Sequence, residues 1–186
     1  MEKIIFLDRD GVINKYPGDY KYVTSIGEFE FLPRAKEALA LLSATGYKIF
    51  VISNQAGIAK GIYSLENLNK ITAHLLRESA AVGGKIEKAL YCIHAGEQHC
   101  ECRKPKLGLI KEALSVVSAD VTQSFFVGDS IRDVKTGKAA GCKTILVLSG
   151  METLDKKEQW EVAPDYVVED LFAAAQLVIK TDSNKL

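Results

Sequence analysis

Two aspartates lie one residue apart directly after an apolar segment near the start of the chain. Residues 4–7 (Ile-Ile-Phe-Leu) are followed by Asp8, Arg9, Asp10 and Gly11. Such a run is typical of a buried strand in a parallel sheet, and ligands of open α/β sheets bind just beyond the carboxyl ends of these strands. Because two bare ionised carboxylates repel each other, the pair indicates a divalent cation, with Mg²⁺ as the natural ion, a shared proton, or both. An ordinary turn is the alternative.

Two further apolar segments also end in polar residues. Residues 49–52 run into Ser53, Asn54 and Gln55, and residues 125–128 run into Asp129. If these strands neighbour the first one in a parallel sheet, Asp129 and the first two aspartates converge on one cation, and Ser53 faces the same point. Ser53 and Asn54 can hold phosphate oxygens there, although Ser-Asn-Gln is also an ordinary loop sequence. Lys104, just before an expected helix, can neutralise a bound phosphate.

Three of the four cysteines fall in one short segment, in the pattern Cys92-x-His94 followed by Cys100-x-Cys102. Three thiolates and one imidazole are enough for a closed tetrahedral zinc site. A closed site leaves no position for water, so we expect this zinc to shape a loop rather than to hydrolyse a substrate. His99 could bind the zinc in place of His94. The other interpretation is that His99 is a solvated loop histidine.

Strand-like and helix-like segments alternate along the chain. We expect strands at residues 3–7, 47–52, 88–92, 124–128, 143–148 and 166–168, and helices over 33–46, 64–83, 107–117 and 170–179. This alternation predicts one α/β domain over residues 1–180, built on a doubly wound, mainly parallel sheet, with a fraying polar tail at 181–186. The segments between the motifs are too short for a large cap domain. A tyrosine-rich loop from Asn14 to Phe31 either contacts a ligand or is anchored by its tyrosines for structural reasons.

Composition excludes several classes of protein. Lys and Arg together number 24, as do Asp and Glu, so no overall charge favours a nucleic acid or an anionic membrane. No apolar stretch approaches the roughly 20 residues that span a bilayer, and the N-terminus lacks the pattern of a secretory signal. We therefore expect a cytoplasmic protein with neither nucleic acid nor membrane as a partner. We also expect a monomer, because no unpaired apolar stripe is obvious.

The order of four motifs resembles that of the haloacid dehalogenase (HAD) superfamily. The motifs are a strand ending in Asp-x-Asp-Gly, a strand ending in Ser, a Lys before a helix, and a strand ending in Gly-Asp-x-x-x-Asp. Within the superfamily, residues 8–14, 53–61 and 102–106 are similar to segments of heptose 1,7-bisphosphate 7-phosphatases and the related histidinol-phosphatases. The resemblance implies a phosphomonoesterase that removes the 7-phosphate of a heptose bisphosphate. Histidinol phosphate or another small sugar or polyol phosphate is an alternative, as is a zinc-stabilised binding module without turnover.

The resemblance also implies individual catalytic roles. Asp8 would be the nucleophile that forms an aspartyl phosphate, and Asp10 would be the general acid and base. The carboxylates of Asp8 and Asp129 and the backbone carbonyl of Asp10 would hold Mg²⁺. Ser53 and Lys104 would bind the nonbridging phosphate oxygens.

Substrate contacts are implied for a second group of residues, namely Lys21, Tyr22, Asn54, Gln55 and Arg103. Ser130 faces the same pocket at a position where many relatives have lysine, so this departure leaves other phosphorylated polyols open. Asp133 would position Lys104 or the waters of the metal, or would instead cap the helix near Arg132. The four cysteine and histidine positions match a zinc loop of the heptose bisphosphate phosphatases.

Overall fold

A six-stranded, fully parallel sheet forms the centre of the computed structural model, which describes residues 2–183. The strands are β1 (Lys3–Leu7), β2 (Tyr47–Asn54), β3 (Ile86–Cys92), β4 (Phe125–Gly128), β5 (Lys143–Val147) and β6 (Tyr166–Val168). Their order across the sheet is β3-β2-β1-β4-β5-β6, and every neighbouring pair is parallel. The prediction of a doubly wound parallel sheet is confirmed.

Five helices cover the two faces of this sheet. They are α1 (Ala35–Ala44), α2 (Leu65–Ala80), α3 (Gly108–Leu114), α4 (Ile131–Ala140) and α5 (Leu171–Ser183). The first, second and fifth helices pack on one face, and the third and fourth pack on the other. Within residues 2–183, loops rather than a separate cap domain connect the motifs, and no helix there has the length and apolar character to cross a membrane.

The central strand β1 is buried on both faces, as its apolar sequence predicts. Ile5 and Leu7 belong to the core beneath α1, α2 and α5, whereas Ile4 and Phe6 belong to the core beneath α3. This alternation follows from the two-residue repeat of side chains along a strand. The ring of Phe6 lies 6.2 Å from that of Phe50 and 6.1 Å from that of Phe126, so three neighbouring strands are joined by aromatic contacts.

The helix boundaries differ from the predicted ones by a few residues. α1 begins at Ala35 rather than at Pro33, because Arg34 adopts a left-handed conformation with φ of 60°. The N-terminus of α2 is as predicted, since the Ser64 hydroxyl accepts a hydrogen bond from the Asn67 N–H at 3.1 Å. α3 ends at Leu114, and the next residues turn back through i→i−3 hydrogen bonds.

The last described residues are helical, although the sequence predicts a polar tail from residue 181. α5 continues to Ser183, and the Thr181 hydroxyl donates to the Leu177 carbonyl at 2.8 Å. Asp182 accepts a hydrogen bond from the Tyr47 hydroxyl at 2.7 Å and pairs with Lys3 at 3.0 Å. These partners lie far away in the sequence, so local polarity alone did not reveal them. The rest of the predicted tail, residues 184–186, lies outside the described residues.

We expect the substitution Phe6→Ala to lower the free energy of unfolding by about 3–5 kcal/mol, because it removes a fully buried ring and leaves a cavity between three strands. Urea denaturation measures this change. The matched control is Val116→Ala, at a residue that is 64% exposed, which we expect to change stability by less than about 0.5 kcal/mol. Similar losses for the two variants would contradict the prediction.

Candidate active site

The carboxyl ends of β1, β2 and β4 meet where the strand order reverses, which is the usual ligand position in doubly wound sheets. Asp8 follows β1, Ser53 lies near the end of β2, and Asp129 follows β4. The backbone N–H of Asp8 donates to the Val127 carbonyl at 2.9 Å, so β1 and β4 stay paired up to the first aspartate. The topology therefore brings together residues that are 45 and 76 positions apart.

Three carboxylates and one ammonium group form the centre of the site. Asp8, Asp129 and Asp133 each place an oxygen within 4.8 Å of the others. The Lys104 Nζ atom lies 2.9 Å from Asp8 Oδ1 and 2.6 Å from Asp133 Oδ1. Only one of the three negative charges is balanced by Lys104, which leaves two for a divalent cation. Since the donors are all carboxylate oxygens, the cluster fits Mg²⁺.

Burial controls the ionisation of this cluster. It raises the pKa of Asp8, although Lys104 opposes the shift. Burial and the neighbouring Asp8 raise the pKa of Asp129 well above its usual range. Burial alone would lower the pKa of Lys104, but Asp133 and Asp8 outweigh it and raise that pKa, so the ammonium stays charged. A bound cation would therefore favour the ionised form of both aspartates.

Asp129 is enclosed by backbone on two sides. A Cβ atom on Gly11 would lie 2.1 Å from Asp129 Oδ2, and one on Gly150 would lie 2.0 Å from the same oxygen. Gly11 also has φ of 84°, a conformation that favours glycine. The Met151 N–H donates to Oδ2 at 2.9 Å. These close contacts fix the carboxylate toward the cluster.

Lys104 is held through its backbone and through its ammonium. Asn54 Oδ1 accepts from the Lys104 N–H at 3.0 Å, and Asn54 Nδ2 donates to the Lys104 carbonyl at 3.2 Å. Asp133 pairs with the ammonium, and its second oxygen accepts from the Ser130 N–H at 3.2 Å and from the Ser130 hydroxyl at 2.6 Å. Asp133 thus fills both roles that the sequence left open, because it positions Lys104 and caps α4. Asn54 and Ser130 line the cavity, but their polar groups are engaged by these contacts.

Asp10 lies beside the cluster, and three neighbouring side chains hold its carboxylate. Arg9 donates to both carboxylate oxygens through Nη2, at 2.9 and 3.0 Å. Asn14 Nδ2 and Gln55 Nε2 each donate at 2.8 Å. Gln55 is only 1% exposed and is not part of the cavity wall, so the structure does not bring it to the substrate as the resemblance implies. Sequence reasoning missed Arg9 and Asn14, although a charged residue between two site aspartates was a usable signal.

A cavity of about 440 Å³ opens above the cluster, within the range of small-molecule sites. Asp8, Asp10, Ser53, Lys104 and Asp129 lie on its wall, together with the predicted substrate residues Lys21, Tyr22 and Arg103. Lys60 and Arg132 also line it, and sequence reasoning assigned neither of them to the site. These cations outnumber the acidic side chains away from the cluster. The upper cavity therefore favours an anionic ligand.

The predicted zinc ligands form a separate cluster. The sulfur atoms of Cys92, Cys100 and Cys102 lie 3.1–3.5 Å apart, and His94 Nδ1 lies 3.2 Å from Cys102 Sγ and 3.8 Å from Cys92 Sγ. Tetrahedral zinc with bonds of about 2.0–2.3 Å needs ligand separations of roughly 3.3–3.8 Å, and the observed separations of 3.1–3.8 Å are close to that range. The four side chains are thus gathered closely enough to hold this ion. His99 is not part of the cluster. The Arg103 guanidinium donates to the His94 carbonyl at 3.3 Å, which connects this loop to the cavity wall.

Comparisons with known proteins agree with this geometry. The family described as HAD-hydrolase-like matches residues 101–174. The D-glycero-beta-D-manno-heptose-1,7-bisphosphate 7-phosphatase of Pasteurella multocida is 37% identical over 96% of this chain and 97% of its own length. The D-glycero-alpha-D-manno-heptose-1,7-bisphosphate 7-phosphatase of Campylobacter jejuni is 38% identical over 79% of this chain and 83% of its own length. The D,D-heptose 1,7-bisphosphate phosphatase of B. bronchiseptica, crystallised with magnesium and phosphate, superposes with a TM-score of 0.87 at 32% identity, covering 96% of this chain and 99% of that one.

We expect His94→Ala to lower the zinc content well below one ion per chain and to lower the melting temperature, because it removes one of four ligands. Elemental analysis and thermal unfolding measure the two effects. The matched control is His99→Ala, in the same loop but outside the cluster, which we expect to keep its zinc. Loss of zinc from the His99 variant and retention by the His94 variant would reverse the assignment.

We expect Mg²⁺ to stabilise the protein more at neutral than at acidic pH. Because the pKa of Asp129 is raised, the folded protein binds more protons than the unfolded chain once the pH exceeds about 4. The free energy of unfolding of the metal-free protein therefore falls as pH rises through the raised pKa of Asp129. Mg²⁺ binds the ionised carboxylate, so the added ion restores the lost stability. Asp129→Asn should remove most of both effects. Thermal unfolding across pH, with chelator and with Mg²⁺, measures them, and a pH-independent Mg²⁺ effect would contradict this account.

Proposed function

Since the chain belongs to the heptose bisphosphate 7-phosphatase family of the HAD superfamily, we propose that it removes the 7-phosphate of D-glycero-D-manno-heptose 1,7-bisphosphate. It is a phosphomonoesterase, as these relatives are. The observation that carries the substrate proposal is the cavity, whose wall holds both the cluster of Asp8, Asp129 and Asp133 and four cations besides Lys104, namely Lys21, Lys60, Arg103 and Arg132. A substrate with two phosphates places one at each position. Such a reaction belongs to the formation of nucleotide-activated heptose.

In the first half of the proposed reaction, an Asp8 oxygen bonds to phosphorus while the bond from phosphorus to the sugar oxygen breaks. The departing sugar oxygen takes a proton from Asp10, whose side chain lies on the cavity wall. Lys104 contacts Asp8 at 2.9 Å and lies in position to bind a phosphate oxygen, as does the buried Ser53. These fixed donors stabilise charge on the transferred group.

In the second half, water attacks the aspartyl phosphate and gives a proton to Asp10, and the bond between phosphorus and Asp8 breaks. Asp10 thereby regains the proton that it gave to the sugar. Asp8, Asp129 and the backbone carbonyl of Asp10 would hold Mg²⁺, which when bound offsets the repulsion between the nucleophile and the phosphate dianion. The zinc loop has four protein ligands and stabilises the cavity wall instead.

We also propose a cytoplasmic location and a monomeric state. Three thiols of the zinc-compatible cluster are free, and a reducing compartment keeps such thiols available for metal. This supports the cytoplasmic location. A monomer remains the expectation from sequence.

We expect Mg²⁺-dependent phosphate release from heptose 1,7-bisphosphate, and we expect Asp8→Asn to lower kcat by about 10⁴-fold because an amide does not attack phosphorus. The matched control is Asp155→Asn, at a fully exposed aspartate, which we expect to leave kcat unchanged. Assays on both anomers, histidinol phosphate and common sugar phosphates measure selectivity.

Three outcomes would contradict this assignment. A preference for histidinol phosphate would show that the protein is a histidinol-phosphatase instead. Ligand binding without turnover of any ester would indicate a zinc-stabilised binding module. Full activity of the Asp8→Asn variant would exclude an aspartyl phosphate at this residue.

A further inference from the structure

Gln55 contacts two side chains of the reaction at the same time. Its Nε2 atom donates to Asp10 Oδ2 at 2.8 Å and to Ser53 Oγ at 3.2 Å. One amide group therefore joins the acid and base to a phosphate-binding hydroxyl. Gln55 itself is 1% exposed and lies behind the cavity wall, so it acts on the substrate only through these two neighbours.

Two donors fix which way the Gln55 amide points. Its Oε1 atom accepts from the Tyr63 hydroxyl at 2.5 Å and from Arg9 Nη2 at 3.2 Å. If the amide were flipped, its oxygen would face the Asp10 carboxylate, and its NH₂ group would face the guanidinium of Arg9. Both contacts would be repulsive. The orientation that holds Asp10 is therefore the only one that satisfies the surrounding groups.

Tyr63 occupies a protected position in this network. It is 7% exposed, and its ring lies 6.2 Å from that of Tyr22, which belongs to the loop between β1 and α1. A Cβ atom on Gly57 would lie 2.4 Å from the Tyr63 ring and 3.0 Å from Tyr22, so this glycine allows both rings to pack over the backbone. The chain thus places a phenol behind Gln55 where water has little access.

We infer that Gln55, oriented by Tyr63 and Arg9, is the positioning residue that sets Asp10 and Ser53 for catalysis. This inference rests on the proposed phosphatase function. It gives a positioning role to Gln55, Tyr63 and Arg9, which exchange no proton or bond with the substrate. The Tyr63 hydroxyl acts only through the amide. Arg9 acts both through the amide and through its own contacts with Asp10.

The test is a double-mutant cycle of Tyr63→Phe and Gln55→Met, with kcat/KM measured on heptose 1,7-bisphosphate and on p-nitrophenyl phosphate. We expect Tyr63→Phe to lower the value for the sugar ester about fivefold and Gln55→Met to lower it roughly 10- to 100-fold. The double variant should be no worse than Gln55→Met alone, since the hydroxyl acts through the amide. Losses that multiply would overturn the inference.

The two esters separate positioning from a general loss of folded protein. A sugar alkoxide needs a proton from Asp10 as it leaves, whereas p-nitrophenolate leaves without one. We therefore expect a larger loss of kcat/KM for the sugar ester. Equal losses for the two esters would indicate a merely structural role and would overturn the inference.

The matched control is Tyr47→Phe, which removes another buried hydroxyl that donates to a carboxylate, here Asp182 at 2.7 Å and far from the site. We expect it to lower the melting temperature and to leave the ratio of the two kcat/KM values unchanged. A changed ratio of the two kcat/KM values would overturn the inference, because the loss of any buried hydroxyl would then change this ratio.

Crystal structures of the Gln55→Met variant provide a readout that does not depend on activity. We expect the Asp10 carboxylate or the Ser53 hydroxyl to move from its present position, because both lose a donor. Unchanged positions of both would overturn the inference. If the unaltered protein hydrolysed neither ester, the proposed function would fail, while this structural comparison would still decide the role of Gln55.

Discussion

Three carboxylates, two buried and one partly buried, lie around a single ammonium group at the carboxyl edge of the sheet, and much of the surrounding structure keeps them there. Repulsion would separate such groups in water, so each must be held. Asn54 and Asp133 fix Lys104 from two directions. Gly11 and Gly150 leave room for the Asp129 carboxylate, because a Cβ atom at either glycine would overlap it. The remaining negative charge makes the site incomplete without a hard cation.

The strand order explains why these residues meet. β1 lies between β2 and β4, although β4 follows β1 in the chain only after three helix crossovers, through α1, α2 and α3. The crevice above β1 is therefore formed by segments from the first half and the second half of the sequence. The same order places the loop after β1 beside the zinc loop after β3, and residues of both line the cavity.

The fold and the centre of the site could be predicted because their signals are local. Apolar runs that end in Asp8 and Asp129 locate both strands and carboxylates, and the spacing of Cys92, His94, Cys100 and Cys102 locates the second cluster. The duties of Asn54 and Gln55 could not be predicted. The orientation of a side-chain amide depends on its hydrogen-bond partners. For Asn54 these are the backbone N–H and carbonyl of Lys104, 50 residues away in the sequence. The last turn of α5 was missed for the same reason.

The hydrogen bond from Arg103 to the His94 carbonyl ties one cationic side chain of the cavity wall to the loop that carries the zinc-compatible cluster. Lys104, the very next residue, is fixed independently by Asn54. Two adjacent cations of the cavity wall are thus anchored independently of each other. A change of sequence or length in the loop of residues 92–103 can therefore displace Arg103 while Asn54 still holds Lys104.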